Sequence, residues 1–382
     1  MLKLRDVLSR WEADQLSQLE AAELLGMSER TFRRWVGRYE ADGEAGLQDR
    51  RLGRRSGRAV PAAAAAEVAR LFRERYAGFT VKHFHEHLCR SHGFAWGYTW
   101  TKTFLQSRGL VAKAPRRGAH RRKRPRRPLV GMMLHQDGSR HGWLADRAPL
   151  DLVITLDDAS STLYSARLVE EEGTASSFAG LAETIAAHGL PCALYTDRGS
   201  HYFHTPAAGG PVAKGMRTQV GRALAQLGIE HIAAYSPEAR GRCERAFRTL
   251  QDRLPKELRL AGITADVVAA NRYLREIYVP AHNRQFAVAA AESGSAFVAV
   301  AEAQWRDVLC TQEDRVVAPD NTVAWRGRRL QLPRHPARAH FVRAKVRVHE
   351  YSDGGLALFH GPRCLVRWPP EPPADGDLRP AA

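Results

Sequence analysis

Residues 236–252, SPEARGRCERAFRTLQD, read as a loop turning into a helix, and the rest of the chain is organised around that helix. Ser236 can cap it, and Pro237 stands where a first helical turn tolerates proline. From Cys243 onward, Phe247, Leu250, Leu254 and Leu258 recur at steps of three or four residues, which makes one buried helical stripe. Glu244 falls beside this stripe among Arg242, Arg245 and Arg248. Its carboxylate is therefore expected to reach into a site rather than into bulk water. The alternative is an ordinary i,i+4 pair between Glu244 and Arg248, contributing roughly a few tenths of a kcal/mol.

The stretch that this helix closes changes character from the chain before it. LVGMMLHQD reads as a strand ending at Asp137, and LDLVITLDD and STLYSARLVE as two strands about the turn Asp157–Ser160. Thr174–His188 is a helix, PCALYTD a strand ending at Asp197, Met216–Leu227 a helix and IEHIAAYS a strand. Three adjoining strands, then helix–strand–helix–strand–helix, is the order of an α/β ribonuclease-H-like domain. If the first and fourth strands lie side by side, Asp137 and Asp197 meet, and the last helix can carry Glu244 across that edge. Like charges so gathered repel unless cations neutralise them, and hard oxygen ligands suit Mg2+ or Mn2+. Two such ions about 3.5–4 Å apart can activate an attacking oxygen and stabilise the leaving one in an in-line phosphodiester displacement.

The N-terminal region is helical. Ser17 and Glu20 have capping-box spacing, Gly26-Met27-Ser28 makes a short turn, and a second helix runs from Ser28 to Tyr39. Phe32, Trp35, Val36 and Tyr39 mark its inner side, and Arg30, Arg33, Arg34 and Arg38 its outer one. This is the helix-turn-helix pattern, with a solvated basic helix as the alternative. Arg50 and Arg51 open a basic linker, and a second helical unit with a core of Val81, Phe84, Leu88, Trp100, Phe104 and Leu105 follows. Its His83, His85, His87, Cys89 and His92 lack a completing CxxC pair, so partly exposed helix histidines are expected rather than zinc ligands. Arg121, Arg122, Lys123 and Arg124 sit in a second basic linker, expected to lie on DNA or merely to solubilise.

Composition agrees. Lys and Arg number 58 against 41 Asp and Glu, a net charge of +17 over 382 residues that favours a nucleic-acid partner over a membrane. Five scattered cysteines without a CxxC pair suit a reducing cytosol, and no apolar run is long enough to span a membrane. The expected location is cytoplasmic.

Residues 1–260 resemble a bacterial insertion-sequence transposase of the DDE class, within the retroviral-integrase superfamily, and more narrowly the ISNCY group. The matching stretches are AAELLGMSERTFRRWV, HQDGSRHGWL, LVITLDDASS, ALYTDRGSHYF and TQVGRALAQLGIEHIAAYSPEARGRCERAFRTLQDRLPKELRLAGI. The resemblance implies that Asp137, Asp197 and Glu244 form a catalytic triad holding two Mg2+ or Mn2+ ions. It also implies double-stranded DNA partners, the terminal inverted repeats and a target, with release of a 3′-OH at the element end followed by its attack on target DNA. Two DNA ends must meet, so a homodimer or higher oligomer is expected. One departure is visible: Asp197 precedes Arg198-Gly199 where lysine-histidine is common in the family.

The remaining acids compete less well. Asp157 and Asp158 sit at a turn, where aspartate bonds its own backbone, and Asp146 and Asp151 are expected to be exposed. Glu238 precedes the apolar stripe. His282-Asn283-Arg284-Gln285-Phe286 either matches the segment ending many integrase cores or is plain helix-ending chemistry. From Val316 short strands suggest a small SH3-like β-barrel. The expected organisation is thus 1–50 helix-turn-helix, 51–61 linker, 62–112 second helix-turn-helix or winged unit, 113–128 linker, 129–290 catalytic core, 291–370 helix and barrel, and 371–382 disordered tail. DNA-phosphate contacts are expected from the basic residues named above, including Arg242, Arg245 and Arg248. Two other functions share these features: a transposase-derived regulator that binds DNA without cutting it, and a structure-specific nuclease.

Overall fold

The computed structural model describes residues 2–49, 59–113, 125–206, 210–213, 215–235, 241–334 and 338–370. Arg50, Arg51, Arg121, Arg122, Lys123, Arg124 and the loop Ser236–Glu238 lie outside the described residues. Two compact units divide the chain: Met1–Tyr76 with Phe94–Gly97, and Ala77–Gly93 with Tyr98–Ala382. This boundary falls inside the stretch 62–112 read as one helical unit.

In the first unit, α1 (Leu2–Glu12), α2 (Gln18–Leu25), α3 (Glu29–Asp42) and α4 (Ala62–Glu74) follow one another. The Ser17 hydroxyl accepts from the Glu20 amide, and the Glu20 carboxylate accepts from the Ser17 amide at 2.8 Å, a complete capping box. Gly26 ends α2 at φ +67°, a conformation that favours glycine, and Ser28 then caps α3. Phe32 and Val36 of α3 pack with Val7, Leu8, Ala21 and Ala22. This is the two-helix geometry expected from the glycine turn.

The second unit begins with α5 (Val81–Ser91) and α6 (Tyr98–Ser107). The sheet follows as β1 (Leu134–His141), β2 (Leu150–Asp157) and β3 (Leu163–Val169), then α7 (Thr174–His188), β4 (Ala193–Thr196), α8 (Gln219–Gln226), β5 (Glu230–Ala233) and α9 (Gly241–Leu260). Its order is β3-β2-β1-β4-β5, antiparallel from β3 to β1 and parallel from β1 to β5. Every residue of β2 is buried, as a strand covered on both faces requires. Leu152, Ile154 and Leu156 meet Phe247, Leu250 and Leu254 of α9 on one face. On the other, Leu134 and Leu194 meet Phe178, Leu181 and Ile185 of α7.

Beyond α9 come α10 (Val267–Tyr273), a π-helical turn at Leu274–Tyr278 and α11 (Val279–Phe286). Here Asn271 and Asn283 each bond a β3 residue twice. The Leu163 amide donates to Asn283 Oδ1 at 2.9 Å and Asn283 Nδ2 donates back to the Leu163 carbonyl at 2.8 Å; Asn271 does the same at Leu168. Two carboxamides thereby satisfy backbone groups that the edge strand would otherwise leave open. Asn283 is a strand partner, which simple helix-ending chemistry does not describe.

After the short α12 (Glu302–Trp305), the chain forms β6 (Cys310–Val316), β7 (Thr322–Trp325), β8 (Arg328–Gln331), β9 (Lys345–Tyr351), β10 (Leu356–His360) and β11 (Arg363–Trp368). Strands β11-β10-β9-β6 make an antiparallel sheet, and β7-β8 a hairpin turning at Arg326 and Gly327, both at positive φ. Val323, Trp325 and Leu330 of the hairpin share a core with Val346, Val348 and Leu358. No helix among the described residues is long and apolar enough to cross a membrane.

Leu254 is fully buried where α9 meets the sheet. Leu254→Ala is expected to destabilise the second unit by about 2–5 kcal/mol, measured as a shift in the urea midpoint without a change in slope.

Candidate active site

Strand pairing brings the two aspartates together. β1 and β4 run parallel with Leu134 beside Leu194 and His135 beside Tyr195, so the same register sets Asp137 alongside Asp197, the residue after the end of β4. β1 does not end at Asp137 as expected from the sequence but runs on to His141, because its second half stays paired with β2. Side chains alternate along a strand, so His135, Asp137 and Ser139 share one face. Their β2 partners are Leu156, Ile154 and Leu152, which pack on α9, so this is the α9 face.

Helix α9 runs along β1 in the same direction. Near its start, Arg242 is ion-paired to Asp158 Oδ1 at 2.6 Å, and the same oxygen lies 2.8 Å from His135 Nε2. Further along, Gln251 Nε2 donates to Ser139 Oγ at 2.9 Å. Glu244 lies between these two anchors and, being two turns before Gln251, on its side of the helix. The Glu244 side chain is exposed, which corrects the expectation that it avoids bulk water. Among the described residues, the acidic and imidazole ligand atoms that converge as a threesome within 4.8 Å are those of His83, His87 and Glu257. The oxygens of Asp137, Asp197 and Glu244 are spread more widely.

Both aspartates are held by a nearby backbone amide. The Gly138 amide donates to Asp137 Oδ1 at 3.1 Å, and the Gly199 amide to Asp197 Oδ1 at 2.8 Å. Gly199 permits this approach, since a Cβ there would stand 3.0 Å from Asp197 Oδ1 and 3.1 Å from the His201 ring. A fourth acid escaped the sequence reading. Glu172, just before α7, lies over Gly138, where a Cβ would come within 2.1 Å of its Oε2, and its Oε1 is 3.7 Å from His201 Nε2. Nothing periodic marks Glu172 in the sequence; two neighbouring acids ahead of a helix were the available signal. Behind the acids, the fully buried Tyr202 donates to Gln136 Oε1 and accepts from Ser177 Oγ, both at 3.1 Å. Burial raises the Tyr202 hydroxyl well above its ordinary pKa, and the charges of Glu172, Asp197 and Asp137 push it the same way. Burial lowers the pKa of His201, against the pull of Asp197.

Several sequence expectations are corrected here. Asp158 does not simply bond its own turn. It is fully buried and accepts from the Arg127 amide at 2.7 Å while facing His135 and Arg242. Burial alone would raise this carboxyl, but His135, the Arg127 amide and Arg242 together hold it well below the usual carboxylate range. Asp157 does cap its turn, accepting from the Ser160 amide at 2.7 Å, yet it also accepts from the Gly131 amide. Asp151 is buried rather than exposed and accepts from the Glu172 amide. Arg242 is buried between Asp158 and the Pro125 carbonyl, which removes it from the phosphate contacts. His83, His85 and His87 are buried, not partly exposed.

The other basic side chains keep to the surface. Arg30, Arg33, Arg34, Arg245 and Arg248 are exposed, and Arg38 is half-buried over the Trp35 ring.

Residues 7–65 match the family described as a winged helix-turn-helix. The chain is 34% identical, over 92% of its own length and 77% of the relative's, to a Sinorhizobium fredii protein named as transposase y4bF. It is 32% identical to the transposase for insertion sequence IS1202 of Streptococcus pneumoniae, over 43% of this chain and 34% of that one. Among solved structures it aligns at 15% identity with the intasome of simian T-cell lymphotropic virus in complex with a PP2A regulatory subunit, with a TM-score of 0.33 and coverage of 76% of this chain and 91% of that one. The integrase catalytic core of HTLV-2 in complex with magnesium aligns at 15% identity and a TM-score of 0.28, over 39% and 89%. Fold and sequence together define a helix-turn-helix protein with a mixed-sheet core. On its match along most of both chains, the protein belongs to the transposase family that includes y4bF.

The Asp158 contact gives a stability prediction. Asp158→Asn leaves Arg242 buried without its counter-charge and is expected to cost about 3–5 kcal/mol at neutral pH, read by denaturant unfolding. Because the folded carboxyl titrates below the unfolded one, its contribution is complete above about pH 5 and drains as pH falls. The wild type should therefore lose stability on acidification more steeply than Asp158→Asn.

Proposed function

We propose that this transposase is a DDE-class enzyme with a ribonuclease-H-like core. It would bind the terminal inverted repeats of its element through the helix-turn-helix, cut at the element ends and join the freed 3′-OH to target DNA. The observation that carries this reading is the parallel register setting Asp137 beside Asp197 on the face along which α9 runs with Glu244.

The residues suit hard divalent cations. The donors are carboxylate oxygens, and Glu172 adds a further negative charge over Gly138. Two bound Mg2+ or Mn2+ ions would supply Lewis-acid stabilisation of the attacking and leaving oxygens. Asp137, Asp197 and Glu244 would hold them. Two ions do not need all three acids to touch one another, which suits the wider spread of these oxygens. The glycine amides at Gly138 and Gly199 orient the aspartates. Gln136, Tyr202 and Ser177 form the rigid polar floor beneath.

Exposed Arg245 and Arg248, on the helix that carries Glu244, would steer the phosphate backbone, and Arg30, Arg33 and Arg34 would meet DNA through α3. The C-terminal strands, read as a small SH3-like barrel, would carry a second basic surface. Two element ends are joined in one reaction, so the working form would be a dimer or larger.

Purified protein with Mn2+ and inverted-repeat DNA is expected to nick and join strands. Asp137→Asn, Asp197→Asn and Glu244→Gln should each lower the rate by at least about 1,000-fold, a loss of about 4 kcal/mol of transition-state stabilisation, with DNA affinity almost unchanged. A fully active Asp197→Asn protein contradicts the assignment, and tight binding without cutting in any divalent metal favours a regulator. Arg33→Ala should weaken discrimination between specific and random DNA at fixed salt more than it weakens overall binding.

A further inference from the structure

A second, chemically different cluster lies away from the three acids. His83 and His87 stand four residues apart on α5, so both imidazoles leave the same side of the helix. Their Nε2 atoms lie 2.6 and 2.8 Å from one oxygen, Oε1 of Glu257 on α9. Both rings are buried, at 2% and 4% exposure, and Phe79 fixes them, stacked on His83 at 4.4 Å and edge-on to His87 at 5.5 Å.

A cavity of about 190 Å3 opens beside the cluster, lined by these three residues with Tyr278, His282 and Gln285. The Tyr278 hydroxyl, His282 Nδ1 and His83 Nδ1 are buried and have no hydrogen-bond partner among the described residues. Buried polar atoms are ordinarily satisfied, so this grouping points to a polar occupant.

We infer that His83, His87 and Glu257 form a binding site for one transition-metal ion of the zinc class, which ties α5 to α9. Two imidazole nitrogens and one carboxylate oxygen are a zinc donor set, whereas Mg2+ prefers oxygen alone. The three ligand atoms already lie within 4.8 Å of one another. Zinc–ligand bonds of about 2.0–2.1 Å in tetrahedral array ask the present contacts to open to about 3.3 Å, a small adjustment of side chains. In exchange the proton that each imidazole now directs at Glu257 moves to Nδ1 of the same ring. A water in the fourth position falls toward the cavity, within the region of the unsatisfied polar atoms.

The surrounding charges are Arg90, Arg253, Lys256 and Glu86. Arg253 is paired with Glu86 at 2.6 Å, and Lys256 with Asp252, which offsets part of their charge beside the ion. Arg90 Nη2 lies 3.1 Å from His87 Nδ1, and metal at Nε2 would put a proton on that nitrogen. Arg90 is exposed and can turn into solvent.

The test uses the untagged full chain, stripped of metal and dialysed against zinc or cobalt. The expected result is one zinc per chain, visible absorption bands of tetrahedral Co2+, and no displacement by excess Mg2+. His83→Gln and Glu257→Gln should each weaken zinc binding by about 100-fold or more with an unchanged circular dichroism spectrum. Asp137→Asn and Glu244→Gln should leave it intact, which separates this site from the proposed catalytic one. Background zinc in the wild type overturns the inference, as does a cobalt spectrum that is octahedral or survives His83→Gln. The wild-type cobalt spectrum decides the matter even if a variant fails to fold.

Discussion

A buried carboxylate sets the geometry on which the core depends. Asp158 stands at the end of β2 and meets His135 of β1, Arg242 of α9 and the Arg127 amide ahead of β1. One side chain thus ties the strand bearing Asp137 to the helix bearing Glu244, each joined two residues away from its acid. Ion pairs at the surface contribute little, whereas breaking a buried one strands a charge in a poor solvent. The contact fixes how far α9 sits along β1, which the apolar stripe of α9 alone leaves free to slide by a turn.

The sheet distributes the remaining work between its faces. On the α7 side, apolar packing surrounds a buried polar chain of Ser165, Thr155, Gln136, Tyr202 and Ser177, which forms a stiff floor. On the α9 side, apolar contacts cover β2 and β3, while the two aspartates lie where β1 passes the end of β4. Asn271 and Asn283 close the exposed edge of β3, so α10 and α11 dock by hydrogen bonds as well as by burial. The core therefore gathers its acidic groups beside the end of β4 on a well-covered sheet.

Much of this arrangement was legible in the sequence because it rests on local pattern. Strand β2 is a continuous apolar run and α9 carries a clean stripe, so these elements followed. The pairing of β1 with β4 was only the condition for Asp137 and Asp197 to meet, and the run of β1 past Asp137 to His141 was hidden because its second half is polar. What stayed hidden depends on distant partners. Asp158 looked like a turn residue because Arg242 and His135 are remote in sequence, and Arg242 looked like a phosphate contact for the same reason. His83 and His87 looked partly exposed because Glu257, 170 or more residues away, gives no local sign of pairing with them. Glu172 was missed because its nearness to Gly138 arises only when β1 and the start of α7 come together. Strand β6, which precedes the expected start of the C-terminal strands, carries charged residues at exposed positions and so lacks a clear alternating pattern.

The most direct measurement of the central claim is a crystal structure of the full chain soaked in Mn2+, with anomalous scattering used to locate the ions. The account predicts two peaks about 3.5–4 Å apart, held by Asp137, Asp197 and Glu244. Manganese bound without Glu244, or no peaks between the ends of β1 and β4, would contradict it.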